Sequence, residues 1–191
     1  MIKKIVLAAV ICSVPASVYA VSIDQQSWVA EARELVKKFG HKLKRARKEG
    51  LSEGGESKAL EVCHLKAPDI AIELSDETPW TVRRTTMQTR DLDNAPDKWE
   101  MKVLEEFSRR KKEGQLKSNR EFYEIVDYDG QPYFRYMRAI LITKSCLKCH
   151  GEHIRAQVSS QLDSLYPFDQ ATGYREGDLR GAYTLRRKIG D

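Results

Sequence analysis

The stretch Ser145 to Glu152, SCLKCHGE, sets Cys146, Cys149 and His150 in the spacing Cys-x-x-Cys-His. Two sulfurs so placed, with an imidazole directly behind them, have three uses. They bond to the vinyl groups of a haem while the imidazole ligates its iron, they contribute to a tetrahedral metal site, or they exchange electrons as a dithiol. The haem chemistry accounts for all three residues, because thioether bonds need sulfurs a few residues apart and leave the adjacent histidine on one face of the ring. A dithiol of the thioredoxin kind lies early in its chain, after a first strand, whereas this motif is in the last third. A zinc site using Cys63 as well lacks a second Cys-x-x-Cys, since the other pair is Cys63-His64. A Cys146–Cys149 disulfide leaves His150 without a role. One covalently attached haem c, with His150 as an axial iron ligand, is the expectation.

The amino terminus agrees with that chemistry. Lys3 and Lys4, the apolar run from Ile5 to Val14 and the small-residue site Val18-Tyr19-Ala20 read as a signal peptide, residues 1–20, cleaved after Ala20. The run is short for a membrane span and is interrupted by Pro15. Cys12 leaves with the peptide, since the bulky Ile11 before it does not suit lipoprotein processing. Residues 21–191 then form a single domain of adequate size for a core, exported to the periplasm, with no stable membrane span after processing. Three cysteines remain there, so Cys63 has no obvious disulfide partner. The net charge of +5 falls further when Lys3 and Lys4 are removed. The basic runs from Lys42 to Lys48 and from Arg109 to Lys112 lie at expected helix ends, where cations suit the helix dipole. Nucleic-acid binding is therefore not expected. No carboxylate pair or nucleophile arrangement stands out, and an enzyme is not expected either.

The elements that must position the motif follow from periodicity. Ser22 and Gln25 form a capping box, and Trp28, Ala32, Leu35, Phe39, Leu43 and Ala46 recur at helical spacing. Gly50 and Gly54-Gly55 should break this long first helix, and a second should run from about Glu56 to Lys66, stopped before Pro68. Cys63 follows Ala59 and Leu60 by about one turn, on the apolar side. Alternation from Trp80 to Thr86 predicts a half-buried strand. Pro96 opens a helix with Trp99, Val103 and Phe107 on one stripe. Strands over Glu121 to Asp127 and Gln131 to about Thr143 flank the turn Asp129-Gly130, and the motif comes directly after the second. A helix carrying Ile154, Val158 and Leu162 and a last strand from Gly181 to Arg187 complete an α+β pattern, an antiparallel sheet flanked by helices.

The second axial position is open among His41, Cys63, His64, His153, Met87, Met101 and Met137. His153 is too close in sequence to His150 to reach the opposite face, His41 lies among lysines, Met87 and Met137 sit in strand patterns, and Met101 is off its helix stripe. Cys63 and His64 remain, about 100° apart on a helix, and the spare cysteine favours Cys63. Arg84 and Arg90 are candidates for contacts to the haem propionates, since arginine pairs with carboxylates in a two-pronged geometry; surface salt bridges are the alternative.

The chain also resembles a known family. The stretches that carry the likeness are Ala59 to Pro68, Val82 to Thr86, Arg90 to Glu100, Cys146 to Gly151 and Leu165 to Gly181. They are similar to the c-type haem domain of PAS-like fold, formerly a domain of unknown function, found as free periplasmic proteins and as the sensing ectodomain of bacterial histidine kinases and chemoreceptors. The resemblance implies a haem held by Cys146 and Cys149, His150 on one side of the iron and the Cys63 thiolate on the other, with the segment Tyr166 to Tyr174 near the haem edge. Arg90-Asp-Leu-Asp-Asn departs from the family's Arg-Asn-Pro pattern, so no role is carried over to Asp91 and Leu92, and His64 stays an alternative to Cys63. A thiolate stabilises ferric iron, and reduction weakens that bond, vacating a place for CO or NO. The expected function is redox or diatomic-gas sensing with possible ligand switching, passed to a redox partner or sensor-transmitter protein. A periplasmic electron-transfer cytochrome c is the alternative.

Overall fold

The structure, a computed structural model, describes residues 17–190, with side chains from Gln25 onward. Of the expected signal peptide at residues 1–20, residues 1–16, Cys12 among them, lie outside the described residues, and Ser17–Ala20 fall in the first helix. Strands β1 (Thr81–Thr85), β2 (Glu121–Tyr128), β3 (Gln131–Leu141) and β4 (Leu179–Lys188) form one antiparallel sheet in the order β1-β4-β3-β2. Helices α1 (Ser17–Asp76), α2 (Lys98–Lys112), α3 (Leu147–His150) and α4 (Ala156–Leu165) surround it, giving the α+β fold expected from the periodicity. Among the described residues no helix is long and apolar enough to cross a membrane.

The sheet separates two cores because side chains alternate along each strand. On one face Phe134, Tyr136, Val82 and Leu185 pack with Val29, Ala32, Val36 and Phe39 of the first arm of α1 and Ile70 and Leu74 of its second arm. On the other face Met137, Ala139 and Ala182 meet Val103, Leu104 and Phe107 of α2. The β2–β3 hairpin turns where it was expected: Asp129 and Gly130 both have positive φ, 52° and 72°, which matches the right-handed twist of the strands.

Several boundaries differ from the sequence expectation, the first being the start of helix α1, which already runs from Ser17 and not from a cap at Ser22. Helix α1 continues past Gly50 and breaks only at Gly54 and Gly55, whose φ values are −155° and 68°. The second arm then runs through Pro68 to Asp76. A proline inside a helix costs about 3 kcal/mol in lost hydrogen bonding and ring contact. Here Ala67, Ile70 and Leu74 on either side of it are all buried, and their packing offsets that cost. Helix α2 begins where its cap allows: the Asp97 carboxylate accepts from the Glu100 N–H at 2.8 Å and Glu100 returns the bond to the Asp97 N–H at 3.0 Å.

Candidate cofactor site

The antiparallel hairpin in α1 leaves a gap between its two arms and the end of the sheet. That gap is a cavity of about 450 Å³, within the size range of cofactor sites. Cys63 and His64 from the second arm of α1, and Cys146, Cys149 and His150 from the motif, all line it. Residues about 80 positions apart in the chain thus reach one space. Cys63, Cys146 and Cys149 are all free thiols.

The motif segment is held from four directions. Arg47, on the first arm of α1, donates to the Ser145 carbonyl at 3.1 Å and to its hydroxyl at 3.3 Å. Glu56, just after the α1 break, pairs with Lys148 at 2.9 Å. Arg90 donates to the Cys149 carbonyl and, at 2.9 Å, to Asp169 in a largely buried ion pair. The fourth hold comes from the loop after α4: Tyr174 N–H donates to the His150 carbonyl at 2.9 Å and Gly173 N–H to that of Gly151 at 3.0 Å. Apolar contacts add to these, with Cys149 against Leu60, Val158 and Leu162, and Cys146 against Ile142, Ala171 and Tyr174.

The state of each donor follows from its surroundings. His150 Nδ1 lies 2.7 Å from the Ala171 carbonyl. A carbonyl only accepts, so Nδ1 carries the proton and Nε2 keeps its lone pair, the arrangement that second-sphere hydrogen bonds impose on ligating histidines. Burial, reinforced by Arg90 and Arg180, holds the His150 pKa well below its ordinary value, so the ring is neutral. Burial pushes the Cys63 and Cys149 thiols up, against the pull of nearby arginines. His64 packs edge-on to Tyr166, with ring centroids 4.9 Å apart, and its buried Nδ1 has no hydrogen-bond partner.

The remaining candidates separate from this group. His41 is exposed, Met87 is exposed beyond the end of β1 and not in the strand, Met101 is exposed on α2, and Met137 is buried in the α2-side core. His153 borders a separate hollow with Leu147, Tyr174 and Arg175. Arg84 and Arg90 both line the cavity. Arg90 is committed to Asp169 and to backbone carbonyls, while Arg84 lies over the Phe39 ring at 5.7 Å.

Arg180 was not singled out by sequence reasoning, yet it also lines the cavity. Its placement depends on an irregularity between β3 and β4: Ile140 pairs with Gly181 but Leu141 pairs with Leu179, leaving Arg180 unopposed. Bulges of this kind re-aim a side chain. Gly181 permits it, with φ of 150° and the Thr85 carbonyl so close that a Cβ would collide with it. The pair Arg180-Gly181 at a strand start is the signal that was available.

Among the described residues, no three His, Cys, Asp or Glu side chains converge to hold a bare metal ion. The donors suit a flat metal-bearing ring better, since such a ring supplies its own in-plane ligands and asks the protein only for axial ones. Comparison with known proteins agrees with that chemistry. A family model described as Tll0287-like matches residues 13–187. The solved structure of the cyanobacterial heme-protein Tll0287 is similar to this chain at 26% identity, with a TM-score of 0.60, over 83% of this chain and 96% of that one. Among curated proteins no relative matches.

Proposed function

Since this chain belongs to the Tll0287-like family, we propose that it is a periplasmic c-type haem protein that senses redox state or a diatomic gas through its axial ligands. The convergence of Cys63, His64, Cys146, Cys149 and His150 on one cavity carries the reading, and the likeness to a heme-protein supports it. Cys146 and Cys149 would hold the ring covalently, and His150 would take one axial position through Nε2. Cys63 would take the other. When bound, the haem supplies an iron centre that exchanges one electron and accepts a small diatomic ligand at a vacated position.

The chain's own residues prepare that chemistry. The Ala171 carbonyl fixes the His150 tautomer and ring direction. Arg47, Glu56 and Arg90 keep the motif from moving relative to α1 and the sheet. Cys63 sits on the second arm of α1, which is tied both to the sheet through Ile70 and Leu74 and to the motif through Glu56 and Leu60; the His150 ring would be held separately by the Ala171 carbonyl. This separate hold suits a ligand-switching sensor, whose output goes to a redox partner or transmitter protein after export by a cleavable signal peptide. A PAS-like reading of the four-stranded sheet belongs to the same proposal.

One observation favours a second reading. The unpartnered, buried Nδ1 of His64 fits a His150/His64 pair, which would persist in both oxidation states and suit an electron-transfer cytochrome. Spectra of the holoprotein, oxidised, reduced and reduced under CO, separate the two. Ligand release with CO uptake, together with a ferric spectrum changed by Cys63→Ala and not by His64→Ala, supports the sensor; an unchanged six-coordinate spectrum sensitive only to His64→Ala supports the carrier. A chain matured with cytochrome c assembly factors whose intact mass equals bare polypeptide overturns both.

A further inference from the structure

Three arginines face the cavity from the sheet side, and they are not equivalent. Arg90 has a counter-ion, Asp169, at 2.9 Å, with both side chains less than a tenth exposed. Arg84 and Arg180 have none: among the described residues neither forms an ion pair, and Arg84 has no hydrogen-bond acceptor. Arg180 donates only from Nη1, to the Thr86 hydroxyl and the Gln88 carbonyl, each at 3.1 Å. Both guanidinium groups also lie over aromatic rings, Arg84 over Phe39 and Arg180 over Tyr174, each at 5.7 Å. Stacking orients them without neutralising them.

The charged groups around the pair deepen the imbalance. Arg84 feels Tyr183, Cys63, Tyr166 and Asp91, and Arg180 feels Tyr174 and Asp169, and neither meets a carboxylate at ion-pair distance among the described residues. Asp169 is bound to Arg90, and Asp91 caps the turn after β1 by accepting from the Asp93 N–H at 3.0 Å. Desolvation by burial lowers the pKa of both arginines, and Arg90 and Arg84 lower that of Arg180 further. Both side chains are half-buried at the cavity wall, and a partly desolvated charge without an ion partner is well placed to take one from a ligand.

We propose that Arg84 of β1 and Arg180 of the β4 bulge together recognise a dicarboxylate edge on the bound ring, while Arg90 is a positioning residue that fixes the Cys149–His150 segment through Asp169 and the backbone. This rests on the haem reading above and assigns which end of the cavity takes the acidic side of the cofactor. The bulge makes the assignment specific to the fold: without the register shift at Ile140 and Leu141, Arg180 has no reason to leave the regular alternation of β4.

Reversible binding tests it. In a Cys146→Ser, Cys149→Ser chain, which retains His150 and Cys63, haemin and haemin dimethyl ester are titrated optically. Haemin should bind at least about tenfold more tightly, as expected for charge-assisted pairing. Arg84→Gln combined with Arg180→Gln should remove that preference while the ester's affinity stays the same. Arg84→Lys with Arg180→Lys keeps the charges and should retain part of it. Equal binding of the two rings by the parent chain, or a preference that survives the glutamine pair, overturns the proposal. If neither ring binds, the haem reading fails first and this assignment falls with it.

Discussion

Arg135 and Arg84 meet burial in opposite ways on opposite faces of one sheet. Arg135, on the α2 face and 3% exposed, reaches Glu100 at 3.2 Å and Asp97 at 2.8 Å and lies 4.2 Å from the Trp99 ring centroid. Glu100 also accepts from Thr184 at 2.8 Å. Every major charge there has an answer inside the protein. Arg84, on the α1 face beside the cavity, has an aromatic ring and, among the described residues, no anion in contact. On the α2 face the charges are paired within the protein, with only the Arg135 Nε left without a hydrogen-bond partner; on the cavity face the proposed ring would supply the counter-charge. The distinction between a structural arginine and one proposed to bind a ligand therefore rests on where its counter-charge comes from: Arg135 is buried among its partners, whereas Arg84 is half-buried at the cavity wall.

The largest expected effect comes from removing the proposed covalent anchors of the cavity. Cys146→Ser with Cys149→Ser should abolish covalent haem entirely, read as a mass loss and as loss of peroxidase staining after denaturing electrophoresis, while urea unfolding of the ring-free protein changes little. Retained staining would sink the attachment. On the other face, Glu100→Gln should cost about 3 kcal/mol of unfolding free energy, because it leaves Arg135 buried with one exposed-side partner. A near-neutral result in chemical denaturation would show that Asp97 alone is sufficient. Gly181→Ala should cost about 2 kcal/mol, given its positive φ and the adjacent Thr85 carbonyl, and should weaken ring binding as the bulge shifts.

A smaller effect is pH-dependent. Burial raises the Asp97 pKa, but the hydrogen bond from Arg135 and the one from the Glu100 N–H more than offset it, leaving the carboxyl below its ordinary range. A group depressed in the folded state stabilises fully above its unfolded pKa of about 3.9 and loses that contribution as pH falls through the folded value. Asp97→Asn should thus flatten the stability curve below about pH 4 and leave its shape near neutrality unchanged. The smallest change is expected for Arg84→Gln in the ring-free chain, within about 0.5 kcal/mol of the parent, because the charge removed has no partner to strand. A loss as large as that of Glu100→Gln would erase the contrast between the two faces.

Much of this organisation is legible in the sequence because it is local. The strand alternation around Trp80 and Val82, the Asp129-Gly130 turn and the helical stripe of Val103 and Phe107 each express a backbone period within a few residues. The second arm of α1 was less legible. Pro68 is a local stop signal, and only the burial of Ile70 and Leu74 against the sheet overrides it. For the site, the Cys146-Cys149-His150 spacing was plain, and Cys63 and His64 were reached as candidates by elimination. Their meeting in one cavity needed the Gly54-Gly55 reversal that folds the two arms of α1 together.

What the amino-acid order determined alone was the chemistry available: a thiol pair with its histidine, a further Cys-His pair, and arginines spaced through two strands. Tertiary structure decided which of these share a space and which already have partners. That division has a physical cause. Bond-forming potential belongs to residue type and near-neighbour spacing, whereas desolvation and charge balance depend on atoms brought from distant parts of the chain. Asp169 reaching Arg90, and no carboxylate reaching Arg84 or Arg180 within ion-pair distance among the described residues, are facts of packing that no local period encodes.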